Sequence, residues 1–392
     1  MKRYIVIAIS ALILICLIIF AFTVLLISSN GSDTESIPMP KSEIIDFGLE
    51  APINAARCMT VIDAKSGNVL FSHNAHERRG MASTTKIMTA LVAIESQSPD
   101  SEFVIPKEAV GIEGSSVYLK EGERLTLREL LYCLLLESGN DAATAIAISI
   151  GGSEEEFVGL MNERAKELGL ADTSFANPHG LSADNHYTTA HDLAIITAAA
   201  MEYPLFREIV ATKSHSVRYD GAENGRRLVN HNKLLFSADH VIGVKTGYTK
   251  RDGKCLVSAA EKDGMTLIAV TLQDAFPTST HKALLDYAFS SFESVSLAKA
   301  FDIESVVPIE NGFLKFTTVT NSLPAEILLP KGAKISCELL LPQSICAPAE
   351  KGEIIGYAIL NANGRIVYII SLETTVEIKE KKKTLAEKLF GE

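Results

Sequence analysis

The pattern of apolar and polar positions changes character along the chain. Residues 4–27 form an almost unbroken apolar run, interrupted only by Ser10 and Thr23 and preceded by Lys2 and Arg3. At 1.5 Å per residue, a helix of this run spans the roughly 30 Å hydrocarbon core of a bilayer. A cleaved signal peptide has a shorter apolar stretch of about 7–15 residues, ending in small side chains. Here bulky Leu26 and Ile27 stand where small residues would be needed. The run therefore reads as an uncleaved anchor over residues 1–29. The preceding positive charges place the rest of the chain outside the cytoplasm. Residues 30–50 are rich in Ser, Pro, Gly and acids, the composition of a tether.

From residue 51 the pattern alternates between periods of about 2 and 3.6. Residues 59–75 predict two short strands around a Ser66-Gly67-Asn68 turn. Residues 86–94 and 126–150 carry helical apolar spacing and good helix formers. Residues 243–249 read as a strand, and 254–273 as two strands joined at Lys262-Asp263-Gly264. A helix over 281–292 closes this region. Beyond it come short β-type runs such as SVVPI, LKFTTVT, EIIGYAIL and RIVYIISL. The expected organisation is an α/β (α+β) body over 51–290 and a smaller all-β domain over 291–378. A basic, amphipathic tail follows over 379–392.

The 392-residue length suits two or three domains, and a 47% hydrophobic, 22% charged composition excludes wholesale disorder. A net charge of −11 argues against nucleic acid as a partner, because phosphates need a basic face. Six cysteines are too few for a disulfide scaffold; Cys58, Cys133 and Cys255 sit in apolar text and read as core. The nine histidines show no metal-ligand spacing. His186 and His191 are five apart and read as loop hydrogen-bonding residues, so no metal or cofactor is expected.

Three short motifs carry the candidate chemistry. Ser83-Thr84-Thr85-Lys86 places an amine beside a hydroxyl on one helix face. A serine becomes a useful nucleophile when a base takes its proton, and lysine is that base only if its pKa falls. Ser138-Gly139-Asn140 follows the helix pattern of 126–136 and offers, from a loop or helix end, a hydroxyl for proton relay and an amide for holding a carbonyl or the lysine amine. Lys245-Thr246-Gly247 offers positive charge, a hydroxyl and a site of close backbone approach, with Tyr248 next in line. Each is weak alone. Ser-x-x-Lys recurs at Ser296–Lys299, and Ser66-Gly67-Asn68 repeats the second pattern in an ordinary turn.

Together and in this order, the motifs match penicillin-binding proteins and class A β-lactamases. The flanking text, including ASTTKIMTALVAIE (82–95), FANPHGLSADNHYTTAHDLA (175–194) and VIGVKTGYT (241–249), resembles the low-molecular-mass D-alanyl-D-alanine carboxypeptidases. The resemblance implies a DD-peptidase/β-lactamase-like fold, and residues 342–360 resemble the accessory domain of that family. It implies Ser83 as acylated nucleophile, Lys86 as general base and Ser138 in the proton path. Asn140, Lys245, Thr246, Gly247 and Tyr248 would bind substrate, Lys245 lowering the Lys86 pKa and attracting the terminal carboxylate, with the N–H groups of Ser83 and Tyr248 as oxyanion hole. The implied partners are peptidoglycan stem peptides ending in D-Ala-D-Ala, β-lactams as acylating inhibitors, and a bacterial membrane reached through the N-terminal helix. A class A-like β-lactamase and a catalytically silent wall-binding scaffold are the rivals. Between Ser138 and Lys245 no Glu-x-x-Leu-Asn pattern supplies the lactamase's deacylating glutamate. One departure stands out: the family's arginine before the closing helix is missing from residues 274–287, where His281 or Lys282 could substitute.

Overall fold

The computed structural model describes residues 46–49, 52, 56–218, 225–296, 303–321, 326–362 and 364–381. The apolar run of residues 1–29 and the tail beyond 381 lie outside the described residues. Among the described residues, no helix is long and apolar enough to cross a membrane.

The chain divides into two units, one built from residues 43–296 with 326–333, the other from the remaining C-terminal residues. The first unit is organised on a six-stranded sheet. Its strands are β1 (Asp46–Leu49), β2 (Ala56–Asp63), β3 (Val69–His73), β4 (Val241–Thr249), β5 (Gly253–Lys262) and β6 (Met265–Asp274). They lie in the order β1-β3-β2-β6-β5-β4. Only the β1–β3 pairing is parallel; the others are antiparallel. Alternation sends Cys58 and Ile62 to one face of β2, and Met59 and Val61 to the other, so both faces carry core.

The larger core holds α1 (Lys86–Ser96), α2 (Leu127–Leu135), α3 (Asn140–Gly151), α4 (Glu154–Glu167), α5 (Ala190–Met201) and α6 (Pro204–Ala211). The smaller core holds Leu284, Leu285 and Ala288 of α7 (Pro277–Ser291). Helix α7 starts four residues earlier than the 281–292 pattern predicts, because Pro277 is tolerated in a first turn where N–H groups lack partners. Phe292–Ser296 and Glu326–Pro330 form an antiparallel pair within this first unit. The strand Asp46–Leu49, at the end of the stretch expected to be a tether, pairs with the open edge of β3.

The predicted helix over 126–150 is two helices. Thr126 starts α2 with a capping box: its hydroxyl accepts from Glu129 N–H, and the Glu129 carboxylate accepts from Thr126 N–H. The helix then breaks at Ser138, whose φ of 63° is left-handed, and α3 restarts at Asn140. Asp141, fully buried in the first turn of α3, anchors the neighbouring loop. Its carboxylate accepts from the N–H groups of Val117 and Leu119 and from the Ser116 hydroxyl at 2.7 Å.

The second unit is β-rich. Its six-stranded sheet runs Ile335–Leu340, Ile354–Ala362, Arg365–Thr374, Phe316–Asn321, Glu304–Glu310 and Ile345–Cys346, antiparallel until the last, parallel pair. Val307, Val319, Ala358, Leu360 and Leu372 are buried.

Replacing Asp141 by Ala strips several buried donors of one charged acceptor. The Asp141→Ala protein is expected to lose about 3 kcal/mol of stability in denaturant titration, and Asp141→Asn less.

Candidate active site

Ser83 lies in a short 3-10 helix, Ala82–Thr85, that runs straight into α1. The turn is tied back on itself: Thr84 Oγ1 donates to Met81 O at 2.6 Å, and Thr85 Oγ1 to Ala82 O at 2.7 Å. Ala82 takes a φ of 47°, an uncommon region for a residue with a Cβ. Strain of this kind persists only where the surroundings over-determine it. The carbonyl of Ala82 packs against Gly180, where a Cβ would sit 2.0 Å from it. Gly180 has a φ of 91°, so the position needs glycine twice over.

Lys86, the first residue of α1, is wholly buried. Its Nζ has three neighbours: Ser83 Oγ at 3.1 Å, Asn140 Oδ1 at 2.7 Å and the carbonyl of His179 at 2.6 Å. The orientation of Asn140 is fixed because its Nδ2 donates to Glu113 O, turning Oδ1 toward the lysine. Burial, and then the cation of Lys245, hold Lys86 well below the usual lysine range; the charge of Asp141 opposes them. A neutral amine has two N–H donors and one lone pair. Asn140 Oδ1 and His179 O can only accept, so they take the N–H groups. The lone pair is left facing the Ser83 hydroxyl, which can donate its proton along that line.

Lys245 is also buried, and burial pulls it down to about 7. Its Nζ donates to Thr246 O at 2.9 Å. Two buried amines with mutually repelling cations cannot both hold a proton cheaply. Gly247 lets β4 pass close to the serine: a Cβ there would lie 3.0 Å from Ser83 N and 3.1 Å from Met81 O. Tyr248, by contrast, is 64% exposed.

Ser83, Ser138, Thr246, Gly247 and Tyr248 line one cavity of about 780 Å³. Lys86, Asn140 and Lys245 are buried, and Lys86 meets the cavity wall through Ser83. All three motifs thus converge on one place. The decoy Ser66-Gly67-Asn68 caps a hairpin turn instead, its serine donating to Asp63 at 2.6 Å.

His281 is ruled out as a stand-in for the missing arginine. It is fully buried, bonded to Thr271 Oγ1 and Ser258 Oγ, and burial pushes it down to about 3. Lys282 does line the cavity, but its Nζ lies 2.6 Å from Asp286 Oδ2.

The sequence motifs do not reveal a supporting relay. Ala176 N–H donates to His186 Nδ1 at 3.0 Å, so the ring proton sits on Nε2. That proton points to Thr85 Oγ1 at 2.8 Å, and Thr85 in turn donates to Ala82 O. Thr89 Oγ1 reaches Pro178 O at 2.6 Å. The 176–181 loop is thereby fastened along α1, with the His179 carbonyl beside Lys86. The only signal was the Asn-Pro-His-Gly text followed by a second histidine.

A serine hydroxyl against the lone pair of a buried lysine, in an open cavity, is the arrangement of a serine acyl-transfer enzyme whose base is lysine rather than histidine. Comparison with known proteins gives the same class in narrower form. Residues 46–276 match the peptidase S11 family, described as D-alanyl-D-alanine carboxypeptidase. D-alanyl-D-alanine carboxypeptidase DacF of Bacillus subtilis is 36% identical over 83% of this chain and 85% of its own. DacC of Escherichia coli is 32% identical over 81% and 83%. Among solved structures, penicillin binding protein 5 from Haemophilus influenzae superposes with a TM-score of 0.75 at 27% identity, covering 85% of this chain and all of that one. The Streptomyces K15 DD-transpeptidase gives 0.59 at 33% identity over 62% of this chain and all of its own. The chain belongs to the D-alanyl-D-alanine carboxypeptidase family.

Gly247→Ala would push a methyl group against Ser83 N and Ala82 Cβ. Thermal unfolding is expected to show a loss of about 1–2 kcal/mol, the cost of overpacking a tight contact.

Proposed function

We infer that the protein is a serine-type D-alanyl-D-alanine carboxypeptidase that removes the terminal D-Ala from peptidoglycan stem pentapeptides. The observation that carries this reading is the three-way environment of Lys86 Nζ, in which Ser83 Oγ is the one partner able to donate.

In this reading Ser83 Oγ attacks the carbonyl of the penultimate D-Ala while Lys86 takes its proton. The backbone N–H groups of Ser83 and Tyr248 receive the charge that develops on the carbonyl oxygen. Lys245 holds down the pKa of Lys86, and Thr246 offers its hydroxyl to the substrate. Ser138, on the left-handed turn beside Asn140, carries the proton toward the leaving amine. Asn140 keeps Lys86 aligned and Gly247 gives the peptide room at the strand edge. Water then hydrolyses the acyl-serine. A β-lactam, which resembles D-Ala-D-Ala, acylates the same hydroxyl.

The apolar run at residues 4–27 supports attachment to the bacterial membrane by a single N-terminal span, with the catalytic body outside the cytoplasm. The net charge of −11 suits solubility there and calls for no acidic substrate.

Incubation of the full-length protein with a D-Ala-D-Ala pentapeptide should release free D-Ala, and a labelled penicillin should give a long-lived adduct. Both are expected to vanish in Ser83→Ala. Rapid penicillin turnover without D-Ala release would instead identify a β-lactamase, and inertness toward both a scaffold. A pH profile gives a second check. Lys86 acts as base only when neutral, so kcat/KM should fall as pH drops through its lowered pKa. Below about 7 Lys245 is a cation, and its removal lets the Lys86 pKa rise. Lys245→Gln is therefore expected to move the acid limb to higher pH.

A further inference from the structure

The cavity has a one-sided charge. Among the described residues that line it, His231, Lys233, Lys254 and Lys282 are basic and none is acidic. In a protein with 48 acidic against 37 basic residues, this concentration selects an anionic ligand. The basic residues are not equivalent. His231 lies 3.1 Å from the Glu137 carboxylate and Lys282 2.6 Å from that of Asp286, so nearby acids already offset both. Lys233 stands on the separate 3-10 helix Lys233–Phe236. Lys254 differs from His231 and Lys282. Its Nζ donates to the neutral carbonyl of Ala275 at 3.1 Å, which leaves two further N–H donors on a full positive charge.

Strand register fixes where that charge stands. On the antiparallel β4–β5 ladder, Lys254 is directly opposite Tyr248, and Leu256 is opposite Thr246. Paired residues share a sheet face, and so do residues two apart, so Thr246, Tyr248 and Lys254 point to the same side. One residue of extended chain spans about 3.5 Å and one strand spacing about 4.8 Å. A carboxylate one residue beyond a carbonyl held at Ser83 and Tyr248 therefore lies at a distance comparable to the strand spacing, which a lysine side chain on the neighbouring strand can bridge.

Resting on the carboxypeptidase reading above, we infer that Lys254 is a further carboxylate-binding residue of this enzyme, clamping the terminal carboxylate of the substrate together with Lys245 and Thr246. Lys254 thereby does the work for which residues 274–287 offer no arginine. It selects peptides ending in a free carboxylate over amidated or extended ones.

The test compares two peptides, one ending in D-Ala-D-Ala and the other in its C-terminal carboxamide, with wild-type, Lys254→Ala, Lys254→Arg and Lys282→Ala full-length proteins. Lys254→Ala is expected to lower kcat/KM for the free acid roughly 10- to 100-fold, the range of a charge-assisted hydrogen bond. The loss should fall mainly on KM, leave the carboxamide reaction unchanged and be largely restored in Lys254→Arg. Lys282→Ala should cost much less, because Asp286 already offsets that charge. Equal kinetics in wild type and Lys254→Ala, an equal loss on both peptides, or a larger loss in Lys282→Ala would overturn the assignment. A wild-type protein that cleaves neither peptide would overturn the carboxypeptidase reading itself, and the assignment with it.

Discussion

The structure of the site follows from burying Lys86. A lysine removed from water sheds its proton readily, and the cation of Lys245 pushes in the same direction. What remains is an amine whose two hydrogens are claimed by Asn140 and His179, and whose lone pair has Ser83 as its partner. The surrounding features keep those atoms in place. The Glu113 carbonyl turns the Asn140 amide, and Asp141 anchors the adjoining 115–119 loop. The relay from His186 through Thr85 holds the Ala82 carbonyl, so the strained residue before the nucleophile cannot relax.

The same constraint explains the glycines. A nucleophile wedged between a helix start, the 176–181 loop and strand β4 leaves no room for side chains on the facing backbones. Gly180 and Gly247 are the two points of nearest approach, one against Ala82 O and the other against Ser83 N. Specificity is added at the rim rather than in this packed centre, where Lys254 and Thr246 share a sheet face with Tyr248. The reacting pair thus stands on the helical turn before α1 and at its start, while Lys254 stands on β5.

Much of this was legible in the residues alone. The apolar runs at 254–273 with the Lys262-Asp263-Gly264 turn became β5 and β6, each buried continuously along its middle because both sheet faces carry core. The three motifs met in one cavity because their order and flanking text were specific together. The split of the 126–150 segment was legible only in part: Ser138-Gly139-Asn140 follows the 126–136 helix pattern as a loop or helix end, but the apolar spacing that continues to 150 does not encode the left-handed φ of Ser138. Strand Asp46–Leu49 was hidden because the Ser-, Pro- and acid-rich composition of 30–50 as a whole says tether, and the open edge of β3 recruits its end. His186 and Lys254 belong to no motif. Their importance lies in the partners that folding brings to them, Thr85 from 101 positions away and Tyr248 across a ladder.

The central claim is that burial and the neighbouring Lys245 hold Lys86 well below the ordinary lysine range, so that its amine can serve as the base. The most direct measurement is an NMR titration of the lysine side-chain carbons in the full-length protein, with the Lys86 resonance assigned through Lys86→Arg. The account predicts that the Lys86 Cε shift titrates well below the ordinary lysine range. A Lys86 resonance that remains that of an ammonium until it titrates near the ordinary lysine range would contradict it.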